Sequence, residues 1–508
     1  MIFAVAMTFI DQTIVSIAAP SIQRELGLTN TGLQWAINAY LLSLASLFAL
    51  GGRLADTTGP RKMVMVGVIV FTSASVLCGL TPKGSLATEW IIAARVAQGA
   101  GGAIMFPAAL AIVVQTFSLH ERGKALATFF GVTGGLTAVG PILGGYLTEW
   151  TWRAIFWVNV PVAMIALALI FISKPTTVHK PARMDFRGVA LIAGGVGLSV
   201  FGLQESAIWG WGNPATELCV AAGLVLLVVF YFVERATASP LIKVSIFRIR
   251  AFLVENLVLA VAMMVYLPVF FFASEYAQVA LGKSASEAGL FILFFFLGFV
   301  VAAQIGGRIL DSRGAKLAVV AGCALAAVGF ELWARHVTQL SFGSQRLYVV
   351  LAGAGMGLML GPASTDAVNR ASKFAYGEAA GITYTVRNFA GSLGLAILGT
   401  ILVSELRSRM TISLIAHGLP RRAAVALASA SSQSHGGAGG GGSIPHFVRL
   451  DFAYATGTVF HMMAAIMAVG ALVALVGLPG GLQAETDEAS EAERPHAGDA
   501  VATVAPAR

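Results

Sequence analysis

Residues 51–62 read GGRLADTTGPRK, and residues 306–316 read GGRILDSRGAK. The two stretches share the pattern G-G-R-x-x-D-x-x-G, and their starts lie 255 residues apart, about half of the 508-residue chain. Each stretch follows a long apolar run. An echo of this kind is typical of carriers built from two helical bundles that are related by an axis along the membrane normal. The pattern therefore predicts two equivalent halves.

The composition indicates that both halves lie in a lipid bilayer. Hydrophobic residues make up 57% of the chain and charged residues only 11%, whereas a soluble protein carries roughly 25% charged residues. So few charges cannot cover a surface that faces water, which excludes a soluble enzyme, a nucleic-acid-binding domain and a disordered chain. The net charge of +8 is spread along the chain and forms no basic patch, so we expect no nucleic-acid partner.

Apolar runs of about 20 residues, the length of a helical membrane span, occur fourteen times. They lie near residues 2–20, 34–55, 63–81, 87–116, 122–148, 153–173, 187–206, 216–233, 250–273, 286–310, 315–335, 346–368, 377–403 and 453–477. With the N-terminus inside, 18 Lys and Arg residues fall in the inner loops and six in the short outer loops. Because cytoplasmic loops carry the excess of Lys and Arg, we expect both termini in the cytoplasm.

The spans predict an all-α membrane protein with a simple division. Residues 1–175 form an N-terminal six-helix bundle, residues 176–238 hold the two inserted helices seven and eight, and residues 239–478 form a C-terminal six-helix bundle. The C-terminal bundle contains a long outer loop at 405–452 with a Gly/Ser-rich stretch. Residues 479–508 are acidic and polar, and we expect a disordered cytoplasmic tail.

The repeated loop pattern has a physical logic. Gly51 and Gly52 allow close helix approach, and Asp56 can accept hydrogen bonds from basic neighbours or from a facing helix N-terminus. Such a contact can form in one conformation and break in another, which makes both copies candidate gating loops. Their candidate residues are Gly52, Asp56, Gly59, Arg61, Gly307, Asp311 and Gly314. The alternative is a plain tight turn with charges that only orient the chain.

Further motifs make the chain resemble the major facilitator superfamily and, within it, the fourteen-span drug:proton antiporters of the EmrB/QacA type. The motifs are Ile10-Asp11-Gln12-Thr13-Ile14-Val15 through Pro20, Arg95-Val96-Ala97-Gln98-Gly99, Gly140-Pro141-Ile142-Leu143-Gly144-Gly145, Trp152 through Pro161, and Trp209-Gly210-Trp211. They are similar to the family's L-D-x-T-I-V, R-x-x-Q-G, G-P-x-x-G-G and W-R-x-x-F-x-x-N-x-P signatures and to a feature of the fourteen-span branch.

The resemblance implies the major facilitator fold, with two six-helix bundles plus two inserted helices. It also implies a proton-coupled carrier in the plasma membrane that exports small amphipathic molecules by alternating access. The motif of Gly140, Pro141, Gly144 and Gly145 is associated with antiport in the family. We expect a monomer whose partners are its small-molecule cargo, protons and the lipid bilayer.

Ionisable groups inside spans are costly and therefore mark candidate functional sites. Asp11 lies in the middle of the first span, and Arg95 lies about eight residues into the fourth, which enters from the opposite face, so their depths match. A carboxylate that loses such a partner, or meets apolar cargo, can take up a proton. The alternative is a structural ion pair that stabilises the N-terminal bundle.

Three further residues are candidates for proton coupling or for lining the cavity. Arg387 lies midway along the thirteenth span and resembles a recurrent family feature, although helix packing would also explain it. Glu255 lies in the inner half of the ninth span without an obvious partner, so it is a second proton or cation site or a side chain that reaches the interface. Gln98 lines the cavity or forms hydrogen bonds in the core. Acidic residues near span ends are expected at the interface: Glu205, Glu275, Glu331 and Asp366.

The energy source and the rival functions also follow from the sequence. No G-x-x-x-x-G-K-[ST] loop is present, so ATP is excluded as the driver, and neither a cofactor nor a metal site is expected. A proton-coupled uptake carrier of the same fold is the first alternative. A non-transporting membrane sensor or enzyme is the second, but no nucleophile or metal cluster in the sequence supports an enzyme.

Overall fold

The computed structural model describes most of the chain. The described residues are 1–117, 129, 132, 136–174, 185–237, 240–370, 376–433 and 444–481. Every regular element within these ranges is a helix. Short connections join them, so successive long helices cross the bilayer in opposite directions. We call the side on which the first helix begins the near side and the opposite side the far side.

The first half and the inserted region contain nine described α-helices. They are α1 (Ile2–Leu26), α2 (Asn30–Thr58), α3 (Pro60–Gly79), α4 (Ala87–Thr116), α5 (Val139–Trp150), α6 (Ala154–Trp157), α7 (Asn159–Ser173), α8 (Phe186–Trp209) and α9 (Pro214–Ala236). Much of the predicted fifth span, 122–148, lies outside the described residues, and α5 is its far-side part.

The second half follows a short 3₁₀ helix at Val244–Arg248. Its described helices are α10 (Arg250–Glu275), α11 (Ala285–Arg313), α12 (Ala315–His336), α13 (Phe342–Arg370), α14 (Tyr376–Ala416), α15 (Arg421–Gln433) and α16 (His446–Gly477). Within the described residues, thirteen helical segments are long and apolar enough to cross a membrane. With α5 in the place of the remaining span, these helices confirm the predicted fold of about fourteen spans.

The internal repeat extends from the two loop motifs to the helices that flank them. The starts of α2 and α11, Asn30 and Ala285, are 255 residues apart, which is the separation of the two loop motifs. The starts of α3 and α12 and those of α4 and α13 have the same separation. The two halves therefore repeat three consecutive helices in register.

Both loop copies have the same backbone construction. Gly59 and Gly314 end α2 and α11 with positive φ angles of 101° and 83°, in the region that favours glycine. A Cβ on Gly51 would overlap the carbonyl oxygen of Ala103 on α4, and a Cβ on Gly306 would overlap that of Leu358 on α13. The first glycine of each motif therefore allows close helix packing, whereas Gly52 and Gly307 have room for a side chain. The proposed gating role of the loops stays a prediction.

The predicted outer loop at 405–452 is largely helical where it is described. Helix α14 continues to Ala416, stabilised by a Glu405–Arg409 ion pair of 2.9 Å one turn apart, and α15 follows it. The expectation of a long loop was wrong here because an apolar run marks only the part of a helix that lies in lipid, while polar helix formers extend the helix beyond it. The Gly-rich stretch 434–443 and residues 482–508 lie outside the described residues.

The inserted helices pack on each other and against the seam between the halves. Helix α8 contacts both α2 and α14. The side-chain amides of Asn38 on α2 and Gln204 on α8 are hydrogen-bonded at 2.6 Å, and Trp35 donates to Glu205 at 2.7 Å. The hydroxyl group of Ser392 on α14 donates to the amide oxygen Oδ1 of Asn38. Thr400 of α14 also donates to the carbonyl oxygen of Leu203 on α8 at 3.3 Å, so α8 is hydrogen-bonded to both halves. The predicted domain boundaries at 175 and 238 stay a prediction.

Candidate functional site

Asp11, Arg95 and Gln98 form a closed hydrogen-bonded network in the first half. The Nη1 atom of Arg95 donates to Asp11 Oδ2 at 2.5 Å and to Gln98 Oε1 at 2.7 Å. The Nε2 atom of Gln98 donates to Asp11 Oδ1 at 2.8 Å. Arg95 and Gln98 are three residues apart, so one face of α4 presents both to α1. Each carboxylate oxygen of Asp11 therefore accepts one hydrogen bond.

Two further polar side chains, Ser75 and Asn159, hold Gln98 in place. Gln98 Nε2 also lies 3.3 Å from the hydroxyl oxygen of Ser75 on α3, which accepts from Asn159 at 2.9 Å. Asn159 belongs to the motif that begins at Trp152. Gln98 is fully buried and hydrogen-bonded in this network, in line with the alternative of core hydrogen bonding, while its role in the cavity stays a prediction.

Arg95 also has partners beyond Asp11 and Gln98. Its Nε atom donates to the carbonyl of Ala36 at 2.9 Å, and its guanidinium carbon lies 4.4 Å from the centre of the Tyr40 ring. Asp11 and Arg95 are both 1% exposed. Removing one partner of such a buried pair typically costs 3–5 kcal/mol, because the other charge is left uncompensated. A proton on the carboxyl group of Asp11 would leave the positive charge of Arg95 without its counter-ion.

The network lies close to the helix that carries the predicted antiport motif. A Cβ on Gly140 would overlap the hydroxyl of Thr13, and one on Gly144 would lie 3.0 Å from the side chain of Ile14. These two glycines therefore let α5 pack directly against the part of α1 next to Asp11.

The other face of α5 meets the second half. A Cβ on Gly145 would lie 2.7 Å from the Cα atom of Ser286, and a Cβ on Gly289 of α11 would overlap the carbonyl of Pro141. Ser286 also donates a hydrogen bond to Glu149 at the far-side end of α5. Helix α5 is thus held between α1 and α11, and its motif glycines make both contacts possible.

Arg387 is a half-buried cation near the middle of α14. Its guanidinium carbon lies 5.1 Å from the ring centre of Tyr384, and the guanidinium group interacts electrostatically with the phenol group of Tyr266 on α10. Among the described residues no carboxylate forms an ion pair with it. The next residue, Asn388, accepts a long hydrogen bond of 3.4 Å from Gln12, the neighbour of Asp11. Arg387 therefore lies where the two halves meet.

Aromatic side chains from both halves surround the same place. The Tyr384 ring stacks on Phe48 with centres 5.7 Å apart and lies 4.4 Å from Phe106 and 6.4 Å from Phe9. Three helices of the first half thus meet α14 of the second half through ring contacts.

Glu255 is completely buried, so it does not reach the membrane interface. It lies beside Asp366 of α13, which is 1% exposed and accepts from Arg370 Nε at 2.6 Å. The expectation that Asp366 lies at the interface was therefore wrong, as it was for Glu275, which is 2% exposed. Proximity to a helix end does not place a side chain in water when the neighbouring helices extend equally far.

A cavity of about 830 Å³ lies between α11 and the start of α13. Phe294, Phe296 and Phe342 line it, with Lys283 and Arg346 near its far-side end. In the run 291–299, several rings are buried in protein rather than facing lipid. Neither Asp11 nor Arg95 lines this cavity.

The sequence did not single out Asp366 or Gln204 as functional contacts. Asp366 could have been found from its spacing of four residues from Arg370, which predicts an ion pair on one helix face. Nothing in the local sequence links Gln204 to Asn38, because 166 residues separate them.

Known proteins resemble this chain in sequence over most of its length. The sequence model described as Major Facilitator Superfamily matches residues 1–395. The tetracenomycin C resistance and export protein of Streptomyces glaucescens is 31% identical over 506 residues, which cover 97% of this chain and 92% of that protein. A cephamycin export protein of Amycolatopsis lactamdurans is 34% identical over 403 residues, covering 77% and 81%.

Solved structures agree on the architecture at low sequence identity. The crystal structure of a D-xylose-proton symporter superposes with a TM-score of 0.60 and 13% identity, covering 94% of this chain and 97% of that one. A bacterial homologue of the lysosomal transporter Spinster gives a TM-score of 0.57 with 16% identity, covering 94% and 95%. These likenesses establish the fold alone.

Proposed function

The chain belongs to the major facilitator superfamily of membrane transporters and is not an enzyme, and we propose that it exports small amphipathic molecules in exchange for protons. The near side is then the cytoplasm, and a single chain in the plasma membrane performs the cycle. Export is supported by the relatives, whose names describe resistance to, or export of, tetracenomycin C and cephamycin. Rocking of the two halves about the central region would expose the cargo to each side in turn.

The observation that carries proton coupling is the network of Asp11, Arg95 and Gln98. With Asp11 ionised, the buried carboxylate and guanidinium neutralise each other. A proton that binds Asp11 ends this compensation and leaves Arg95 with Gln98, the Ala36 carbonyl and the Tyr40 ring. The network then carries a net positive charge, so proton binding is unfavourable unless the surroundings rearrange.

Helix α1 connects that rearrangement to the interface between the halves. Asp11 faces the interior of the first half, whereas the next residue, Gln12, reaches Asn388 on α14. Thr13 packs on Gly140 of α5, which in turn contacts α11. A small rotation of α1 on protonation therefore alters two contacts with the second half. This is the route by which one proton favours one orientation of the halves.

We assign cargo binding to the region around Arg387 and Tyr384, where the two halves meet and which would open when they rock apart. The rings of Phe9, Phe48 and Phe106 supply apolar surface, and Arg387 supplies a positive charge without an ion-pair partner in the described part of the chain. This combination favours neutral or acidic aromatic molecules over cationic ones.

The proton gradient supplies enough energy for useful export. One charge that crosses a potential of about 100 mV releases about 2.3 kcal/mol. At roughly 1.4 kcal/mol for each factor of ten, one proton supports a cargo gradient of about fortyfold.

The decisive experiment reconstitutes the protein in liposomes and measures transport of labelled tetracenomycin C under an imposed proton gradient. We expect accumulation in the wild type, driven against the direction of proton flow and abolished by an uncoupler. Asp11→Asn should lose accumulation but retain exchange of labelled for unlabelled cargo, since exchange needs no net proton movement. Glu331→Gln changes a partly exposed carboxylate on α12, remote in sequence from Asp11, to an amide and should behave as wild type.

Two results would contradict this function. Full gradient-driven accumulation by Asp11→Asn would show that Asp11 does not couple protons to cargo. Cargo movement in the same direction as the protons would identify an uptake carrier instead. Because exchange is measured on the same vesicles, a variant that merely fails to fold is recognised by loss of both activities.

A further inference from the structure

The cavity between α11 and the start of α13 opens toward the lipid. Its volume of about 830 Å³ lies in the range of about 300–1,000 Å³ that is usual for small-molecule sites. Leu290, Leu297 and Val300 of α11 line it, and they are 41%, 58% and 47% exposed. Helix α11 is long and apolar enough to cross the membrane, so the free surface of these side chains meets acyl chains rather than water.

The apolar lining follows one stripe of α11. Its members recur at intervals of three and four residues, the spacing of one helix face: Leu290, Leu293, Leu297 and Val300. At 1.5 Å per residue the stripe is about 15 Å long, which is half of the roughly 30 Å hydrocarbon core of a bilayer. It begins shortly after Ala285, the far-side end of α11. The cavity therefore has the depth of one leaflet.

An arginine without a carboxylate partner lies at the far-side mouth of the cavity. The guanidinium carbon of Arg346 lies 4.8 Å from the ring centre of Phe342 and 5.3 Å from that of Phe294. Both rings also line the cavity. Within the described part of the chain, Arg346 forms no ion pair and donates no hydrogen bond. The two rings thus hold the guanidinium group beside the cavity, while its five N–H donors stay available to a ligand.

The other charged groups that line this mouth in the described residues are paired with each other. Lys283 donates to the carboxylate of Glu287 at 2.8 Å, and Glu287 also accepts from a backbone N–H at the start of α11. Glu149 of α5 accepts a hydrogen bond from α11 and does not line the cavity. A cationic headgroup therefore meets a carboxylate that is already engaged, whereas an anionic headgroup meets the available donors of Arg346.

We propose that the cavity binds an anionic phospholipid from the far-side leaflet, with one acyl chain along the α11 stripe and the phosphate group at Arg346. The planar guanidinium group can donate to two phosphate oxygens at once. A lipid uses both the length of the stripe and the charge at its mouth, whereas a free phosphate group uses only the charge. The site contains neither Asp11 nor Arg387, so it does not depend on the proposed export function.

The test counts the lipids bound to the purified full-length protein by native mass spectrometry. The protein in detergent receives equal amounts of dioleoylphosphatidylglycerol and dioleoylphosphatidylcholine, which carry the same chains and differ in headgroup charge. We expect the wild type to retain one phosphatidylglycerol in preference to phosphatidylcholine by about tenfold or more, the effect of one hydrogen bond to a charged group. An excess of glycerol 3-phosphate should not displace it, because this anion lacks the chains.

Two matched pairs of variants separate the headgroup from the chain. Arg346→Gln should lower the retention of phosphatidylglycerol to that of phosphatidylcholine. Arg335→Gln, which removes a cation that is paired with Glu331 and does not line the cavity, should behave as wild type. Val300→Trp fills the stripe and should abolish retention of both lipids. Val301→Trp changes the neighbouring exposed valine, which does not line the cavity, and should retain lipid as the wild type does.

Three outcomes would overturn the lipid site. Equal retention of the two lipids by the wild type would show that Arg346 selects no headgroup. Unchanged retention of phosphatidylglycerol in both Arg346→Gln and Val300→Trp would place the lipid elsewhere. Binding of tetracenomycin C that displaces the lipid, and that is lost in Val300→Trp but kept in Val301→Trp, would identify cargo as the occupant. Melting temperatures check that Val300→Trp is folded, and Arg346→Gln alone decides the result if it is not.

Discussion

The two halves place a buried acid and an arginine on corresponding helices but treat the acid differently. In the first half, Asp11 on α1 meets Arg95 on α4. In the second half, Glu255 on α10 meets Asp366 and Arg370 on α13, and α4 and α13 begin 255 residues apart. Both oxygens of Asp11 accept hydrogen bonds, whereas neither oxygen of Glu255 has a donor among the residues that the structure describes. The two halves thus share the corresponding pair of helices but differ in the side chains that these helices bring together.

This difference indicates two ways of keeping a carboxyl group inside a membrane protein. The first half supplies a cation and an amide, so the ionised form is stabilised and a proton must compete with Arg95. The second half places a second acid, Asp366, beside Glu255. A carrier that couples cargo to protons can use the first kind of site as the switch, because its charge balance is sensitive to movement of one partner.

The largest expected effect comes from removing the cation in each half. Arg95→Gln leaves Asp11 buried without its ion pair, and we expect a loss of stability of about 3–5 kcal/mol. Arg370→Gln should cost clearly less, because its acids can be neutralised by protons from the near side. Melting temperatures of the purified proteins in detergent measure both. Equal destabilisation by the two substitutions would remove the distinction between the halves.

A smaller loss of stability is expected when Asp11 loses one of its two hydrogen-bond donors. Gln98→Leu removes the donor to Asp11 Oδ1 while keeping Arg95, and an unsatisfied buried acceptor costs about 1–3 kcal/mol. We expect a lower melting temperature and slower proton-driven export. Gln304→Leu, at an exposed position on α11, is the matched control. A Gln98→Leu protein as stable as this control would mean that the amide contributes nothing to the network.

The smallest effect concerns the buried thiol beside each site. Cys78 of α3 lies 3.8 Å from Gln98 Oε1, and Cys323 of α12 faces Glu255. Neither thiol is needed to balance charge, so Cys78→Val and Cys323→Val should each change stability by less than about 1.5 kcal/mol, as near-isosteric substitutions do. The same melting measurements apply. A large loss in only one variant would show that its thiol is an essential partner.

The sequence was most informative about features that depend on neighbouring residues. The apolar runs located the spans, and the loop motifs identified the repeat. The matching depths of Asp11 and Arg95 predicted their pairing. The run of residues after 405 was misread because hydropathy does not report helix beyond the bilayer. Asp366 was misplaced because its distance from the helix end says nothing about the helices packed around it.

The sequence by itself determined that this chain lies in a membrane, that it crosses about fourteen times and that its halves repeat. These properties follow from local hydrophobicity and from spacing along the chain, which need no knowledge of distant contacts. Only the tertiary structure decided which buried acid has donors and which has another acid beside it. That outcome depends on the rotation of each helix about its axis and on neighbours such as Asp366, which is 111 positions from Glu255 in the sequence.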